Sequence, residues 1–156
     1  MTSDGQTPTD RAGPRLPPGG AALDQPFDAR TLVALRATVA AHADALGLGP
    51  LRGTDLVLIA HELASNAIRH AGGGGRLRMW RADEHVYCQV VDTGPGLPDP
   101  AAAGLADPEP QAAGGRGLWI VRQLADVIDV STAAGGTTIT VGLRLHRSTS
   151  DRAAPC

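Results

Sequence analysis

Four consecutive glycines, Gly72 to Gly75, split this chain into two kinds of pattern. Before them, apolar residues recur at helical spacing. Leu32, Leu35, Val39, His42 and Leu46 form one stripe, which follows Asp28 as a plausible N-cap and is ended by Gly47, Gly49 and Pro50. A second stripe, Leu56, Ala60, Leu63 and Ala67, predicts a helix from about Thr54 or Asp55 to Ala71. After the glycines the period changes to two. Residues 76–81 alternate polar and apolar, and 86–91 are β-rich. Ala82 to His85 suit a hairpin between them. A third helix is expected near Gly117, with Leu118, Val121, Leu124 and Ala125 on one face. Two further strands, 127–132 and 137–145, flank a turn at Ala134-Gly-Gly136.

The chain has 156 residues, enough for one domain with a real core. Residues 1–22 and 146–156 lack apolar periodicity and are expected to be disordered tails, leaving 23–145 as the folded domain. Residues 97–114 are rich in Pro and Ala and form a long loop, of the kind that usually serves function. Aromatic residues are only 3% of the chain, so aliphatic side chains must fill the core.

All 14 basic residues are Arg. The absence of Lys excludes a P-loop, whose Lys reaches the β- and γ-phosphates, the strand-borne Lys of eukaryotic-type kinases, and Schiff-base chemistry. A net charge of −2 gives no footprint for nucleic acid or an anionic membrane. Cys88 and Cys156 fit neither a disulfide framework nor a zinc spacing, and Cys88 reads as an inert core thiol. No signal pattern or membrane-length apolar run is present, so a cytoplasmic protein is expected.

Three separated segments carry chemistry. In His61-Glu-Leu-Ala-Ser-Asn-Ala-Ile-Arg-His70, Glu62 and Asn66 are four apart and share a helix face. A carboxylate can deprotonate a nucleophile, and an Asn carbonyl is a hard-oxygen ligand for Mg²⁺. Arg69 and His70 lie one turn on and could meet phosphate. A zinc-protease reading fails, because the position four after His61 is Ser65. Asp92-Thr-Gly-Pro-Gly96 places a carboxylate at a strand end, where it can accept from an adenine amino group, and glycines that let backbone approach a planar ring. Gly114-Gly-Arg-Gly-Leu118 opens a helix, whose exposed N–H groups bind anions. Taken singly, each segment reads as ordinary structure: a polar helix face, a strand-ending turn, a flexible N-cap loop.

The ordered set resembles the GHKL superfamily, which includes gyrase, Hsp90, histidine kinases and MutL. Glu62 to Asn66 is similar to its N box, Asp92, Gly94 and Gly96 to its first glycine box, and Gly115, Gly117 and Leu118 to its second. The resemblance spans about residues 25–145. It implies an α/β (α+β) two-layer sandwich with a mixed, mostly antiparallel sheet and helices on one face, the Bergerat ATP-binding fold. It also implies ATP and Mg²⁺ as ligands, with Asn66 on the metal, Glu62 as base and Asp92 on the adenine amino group. Gly115 and Gly117 would approach the phosphates, helped by Arg69, His70 and Arg116. Thr137 and Thr138 match the place of an adenine-contacting Thr, and Thr138 is the residue assigned to that contact. Residues 97–114 would be the ATP lid.

Size narrows the resemblance to the small anti-sigma-factor kinases, because gyrase, MutL and Hsp90 carry large extra domains. Asn66, Ala67 and His70 also match their Asn-Ala-x-x-His sequence. The resemblance implies phosphorylation of Ser or Thr on an antagonist protein, sequestration of a sigma factor, and a homodimer. Two alternatives stand beside it: an ATP-sensing binding module without kinase activity, and a detached histidine-kinase catalytic domain acting on another chain.

Overall fold

A computed structural model describes residues 14–70, 72–94, 116–133 and 135–145. The expected lid, Gly96, Gly115 and the C-terminal tail lie outside the described residues, as does most of the N-terminal tail.

The order of elements is β1 (Leu23–Asp28), α1 (Leu32–Ala45), α2 (Pro50–His70), β2 (Gly74–Ala82), β3 (His85–Asp92), α3 (Arg116–Leu124), β4 (Val127–Ala133) and β5 (Gly136–Arg144). The strands form one sheet in the order β1-β2-β3-β5-β4. All four pairings among the described strands are antiparallel, in keeping with the mostly antiparallel sheet expected. One sheet face carries Phe27, Leu77, Met79, Val86, Cys88, Val90, Ile139, Val141 and Leu143 into a core shared with the helices. Leu35, Val39 and Ala43 enter it from α1, Leu56, Ile59 and Leu63 from α2, and Leu118 and Val121 from α3. The result is the two-layer sandwich the resemblance implies, with the helices on one face.

β1 has no counterpart in the sequence reading. Pro26 argues against a strand, but β1 lies at the sheet edge and uses only one side for pairing, so the missing N–H is tolerated. Asp28 closes this strand rather than capping α1: its Oδ1 accepts the N–H groups of Arg30 (2.8 Å) and Thr31 (3.1 Å) in a tight turn, and the cap position falls to Thr31.

α2 starts at Pro50, about a turn earlier than expected. Pro50 opens this helix instead of merely stopping α1, because a fixed φ and a missing N–H suit a first helical position. The hairpin turn is likewise tighter than read: Ala82 pairs with His85, and Asp83 takes φ 54° to close it.

Gly74 begins β2 because nothing larger fits. A Cβ there would lie 2.3 Å from the Phe27 carbonyl oxygen. No described helix is long and apolar enough to cross a membrane.

Candidate nucleotide site

α2 positions the first group of side chains. Leu63, Ala67 and their neighbours bury one stripe against the sheet, which turns Glu62, Asn66 and Arg69 away from the centre of the core. Arg69 Nη2 lies 3.5 Å from Asn66 Oδ1, so a guanidinium and a hard oxygen share one edge of the helix. His70 is exposed at the helix end.

α3 brings the second group. Its first turn packs so closely on α2 that a Cβ added to Gly117 would lie 2.9 Å from Glu62 Oε2, 3.2 Å from Asn66 Nδ2 and 3.4 Å from Asn66 Oδ1. The spacing of two sequence motifs more than fifty residues apart therefore becomes a contact. The unsatisfied N–H groups of the first helical turn give this end a partial positive charge, which favours the Glu62 carboxylate and would favour phosphate oxygens. Leu118 turns its side chain into the core, so it can meet a ligand only through its backbone. Arg116 begins α3, and its side chain lies outside the described residues.

β3 and β5 bring the third. Asp92 ends β3, and its Oδ1 accepts the N–H groups of Gly94 (2.9 Å) and Thr137 (3.2 Å). Gly136 allows this approach, since a Cβ there would sit 2.0 Å from the Asp92 carbonyl oxygen. The register pairs Asp92 with Thr137 and Val91 with Thr138. Side chains alternate along a strand, so Thr137 shares the inner face with Asp92 and Ile139, while Thr138 points to the opposite face. Thr137, 5% exposed, is thus the threonine on the Asp92 side, and Thr138 lies on the other face. The signal was present in the sequence, because Thr137 has the same parity as Ile139, Val141 and Leu143.

The donor chemistry fits Mg²⁺ carried by a nucleotide. Among the described residues no group of three or more His, Cys, Asp or Glu could hold a metal alone. Asn66 Oδ1 offers one hard oxygen beside a helix N-terminus, which suits an ion that keeps waters and phosphate oxygens for its other positions.

A cavity of about 400 Å³ opens on the α1 side of α2, lined by Ala29, Leu32, His61, Glu62, Ser65, Ile68 and Arg69. His61 Nε2 lies 3.5 Å from Ser65 Oγ, and His61 Nδ1 is buried with no hydrogen-bond partner among the described residues. His61, Glu62, Ser65, Ile68 and Arg69 of this lining belong to the first segment, while Ala29 and Leu32 belong to no motif.

Comparison with known proteins agrees with this geometry. The model of the histidine kinase-like ATPase domain matches residues 25–143. A chain of the SiaB-SiaC complex from Pseudomonas aeruginosa superposes with a TM-score of 0.62 at 12% identity, covering 79% of this chain and 89% of that one. The catalytic domain of histidine kinase ThkA gives 0.53 at 14%, covering 78% and 95%. Histidine kinase AdeS of Acinetobacter baumannii gives 0.51 at 16%, covering 85% and 70%. At these identities the likeness is one of fold. No curated protein matches the sequence.

Proposed function

The chain belongs to the histidine kinase-like ATPase domain family, and from that premise we propose that it binds Mg-ATP and transfers the γ-phosphoryl group to Ser or Thr of a partner protein. The observation that carries this reading is the packing of Gly117 against both Glu62 and Asn66. It puts a base, a hard oxygen and a helix N-terminus at one point. Phosphoryl transfer asks mainly for positioning and charge neutralisation, which such a point supplies.

The roles divide by position. Asp92 accepts from the adenine amino group, its backbone bonds to Gly94 and Thr137 holding the carboxylate in place. Thr137 lies beside it. Asn66 holds Mg²⁺, which neutralises phosphate charge when bound. The α3 N-terminus, with Gly117 and the N–H of Leu118, faces the phosphates; Arg69 and His70 lie at the rim, and Gly94 follows Asp92 at the adenine end. Glu62 takes the proton from the acceptor hydroxyl. The similarity to a chain of a two-protein complex supports a protein partner, and the resemblance to small anti-sigma-factor kinases supports a role in sequestering a sigma factor whose antagonist is the phosphorylated protein.

Calorimetry with ATP, with and without Mg²⁺, tests the site. Wild type should bind, while Asn66→Ala and Asp92→Ala should weaken binding at least tenfold. Glu62→Ala should keep ATP affinity and lose transfer. Acid-labile phosphate on the product would mean phosphohistidine and overturn the Ser/Thr assignment. A folded wild type that binds no ATP would overturn the whole reading.

A further inference from the structure

We infer that the cavity on the α1 side of α2 is the acceptor site, which admits a Ser or Thr side chain of a partner protein to Glu62. The inference rests on the proposed kinase reading and adds the route by which the acceptor arrives.

The geometry of Glu62 carries it. At roughly 100° per residue, Glu62 and Arg69 fall nearly in line along α2. Asn66 lies to one side of that line, and His61, Ser65 and Ile68 lie to the other. On the Asn66 side the α3 backbone closes against Glu62, with no room for even one methyl group between Gly117 and Oε2. On the other side the same residue lines a cavity of about 400 Å³. Among the described residues the cavity is thus an open approach to Glu62 for a hydroxyl that gives up its proton, while phosphate lies towards the α3 N-terminus.

The lining fits that occupant. Leu32, Ile68 and Ala29 supply an apolar wall for the aliphatic part of a short side chain. Arg69 supplies a positive charge at the rim. In the reaction the acceptor oxygen bonds to the γ-phosphorus, and the bond from that phosphorus to the β–γ bridging oxygen breaks. ADP leaves with the electron pair, and the hydroxyl proton passes to Glu62. Ala29 and Leu32, which lie in no nucleotide motif, become determinants of acceptor choice.

The test uses the full chain, γ-labelled ATP and an array of peptides each carrying one Ser or Thr. Ala29→Trp fills the cavity from an exposed position, so folding is spared, and Ser65→Gln fills it from α2. Both variants should bind ATP within about twofold of wild type and lose peptide labelling more than tenfold. Labelling at the wild-type rate in both variants would overturn the inference. So would wild type that binds ATP but labels no peptide, or that places the phosphate on its own Ser65, as mass spectrometry would show. Wild type that binds no ATP would instead remove the proposed function, on which the acceptor site depends.

Discussion

Gly117→Ala should separate stability from function, because its two effects have opposite sign. Position 117 is the second residue of α3 and takes helical backbone. Replacing Gly by Ala in a helix adds up to about 1 kcal/mol of stability, since Gly loses more backbone entropy on folding. The cost is steric. The new Cβ would lie 2.9 Å from Glu62 Oε2, against an ordinary contact of 3.4 Å or more, so the carboxylate must retreat by about 0.5 Å (3.4 − 2.9). Asn66 Nδ2, at 3.2 Å, must give by about 0.2 Å (3.4 − 3.2). Both atoms end flexible side chains, so the fold can absorb the shift. The site cannot, because a misplacement of about 1 Å can reduce a rate on the order of a hundredfold, and half of that implies on the order of tenfold. Differential scanning calorimetry should show a melting temperature equal to or above wild type. A transfer assay should show phosphorylation slowed about tenfold, near 1.4 kcal/mol in barrier. A variant that transfers phosphate at the wild-type rate would refute the dependence of transfer on the position of Glu62. One that melts far lower would refute the claim that Glu62 and Asn66 can yield.

Four further outcomes follow from the same physics. Asp92→Ala removes the acceptor of two backbone N–H groups and should cost about 1–3 kcal/mol in stability as well as ATP affinity. Asp92→Asn should restore the melting temperature but not ATP binding, since its carbonyl can serve the backbone while its amide opposes the adenine amino group; recovery of both would count against the adenine role. Arg52 reaches from α2 to the Leu124 carbonyl (3.4 Å), Asp55 and Asp126, so Arg52→Ala should lower stability by about 1 kcal/mol in urea unfolding, the exposure of Asp126 keeping the value small. Burial pushes the Cys88 thiol up to about 12. In a Cys156→Ser background the protein should therefore resist a thiol reagent at pH 8 until it unfolds, and rapid labelling of native protein would contradict that burial. The Arg76 guanidinium, bonded to Asp24, holds its carboxyl below the usual 3.8. Its contribution to stability is present above 3.8 and is lost as pH falls through the lower folded value, so Asp24→Asn should flatten the acid limb of a pH–melting curve.

The sequence by itself determined the elements whose signal is local. The stripe of Leu56, Ala60, Leu63 and Ala67 gave α2 its inward face, and the two β-rich runs after Gly72–Gly75 gave β2 and β3. Parity along 137–143 already contained the inward position of Thr137, although Thr138 was the residue assigned. The order of Glu62, Asn66, Asp92 and Gly117 announced a nucleotide site, because such motifs are short runs with fixed spacing. Only the tertiary structure decided the rest. Pro26 forbids a central strand, and whether β1 is central or at the edge depends on which strands lie beside it. Pro50 can end one helix or begin another, and the packing of α2 on α1 and the sheet favours the second. The contact of Gly117 with Glu62, and the cavity behind that carboxylate, join residues that no local period relates. Periodicity reports which side of an element is apolar; which two sides meet is settled by packing across the whole chain, where the gain comes from burying both at once.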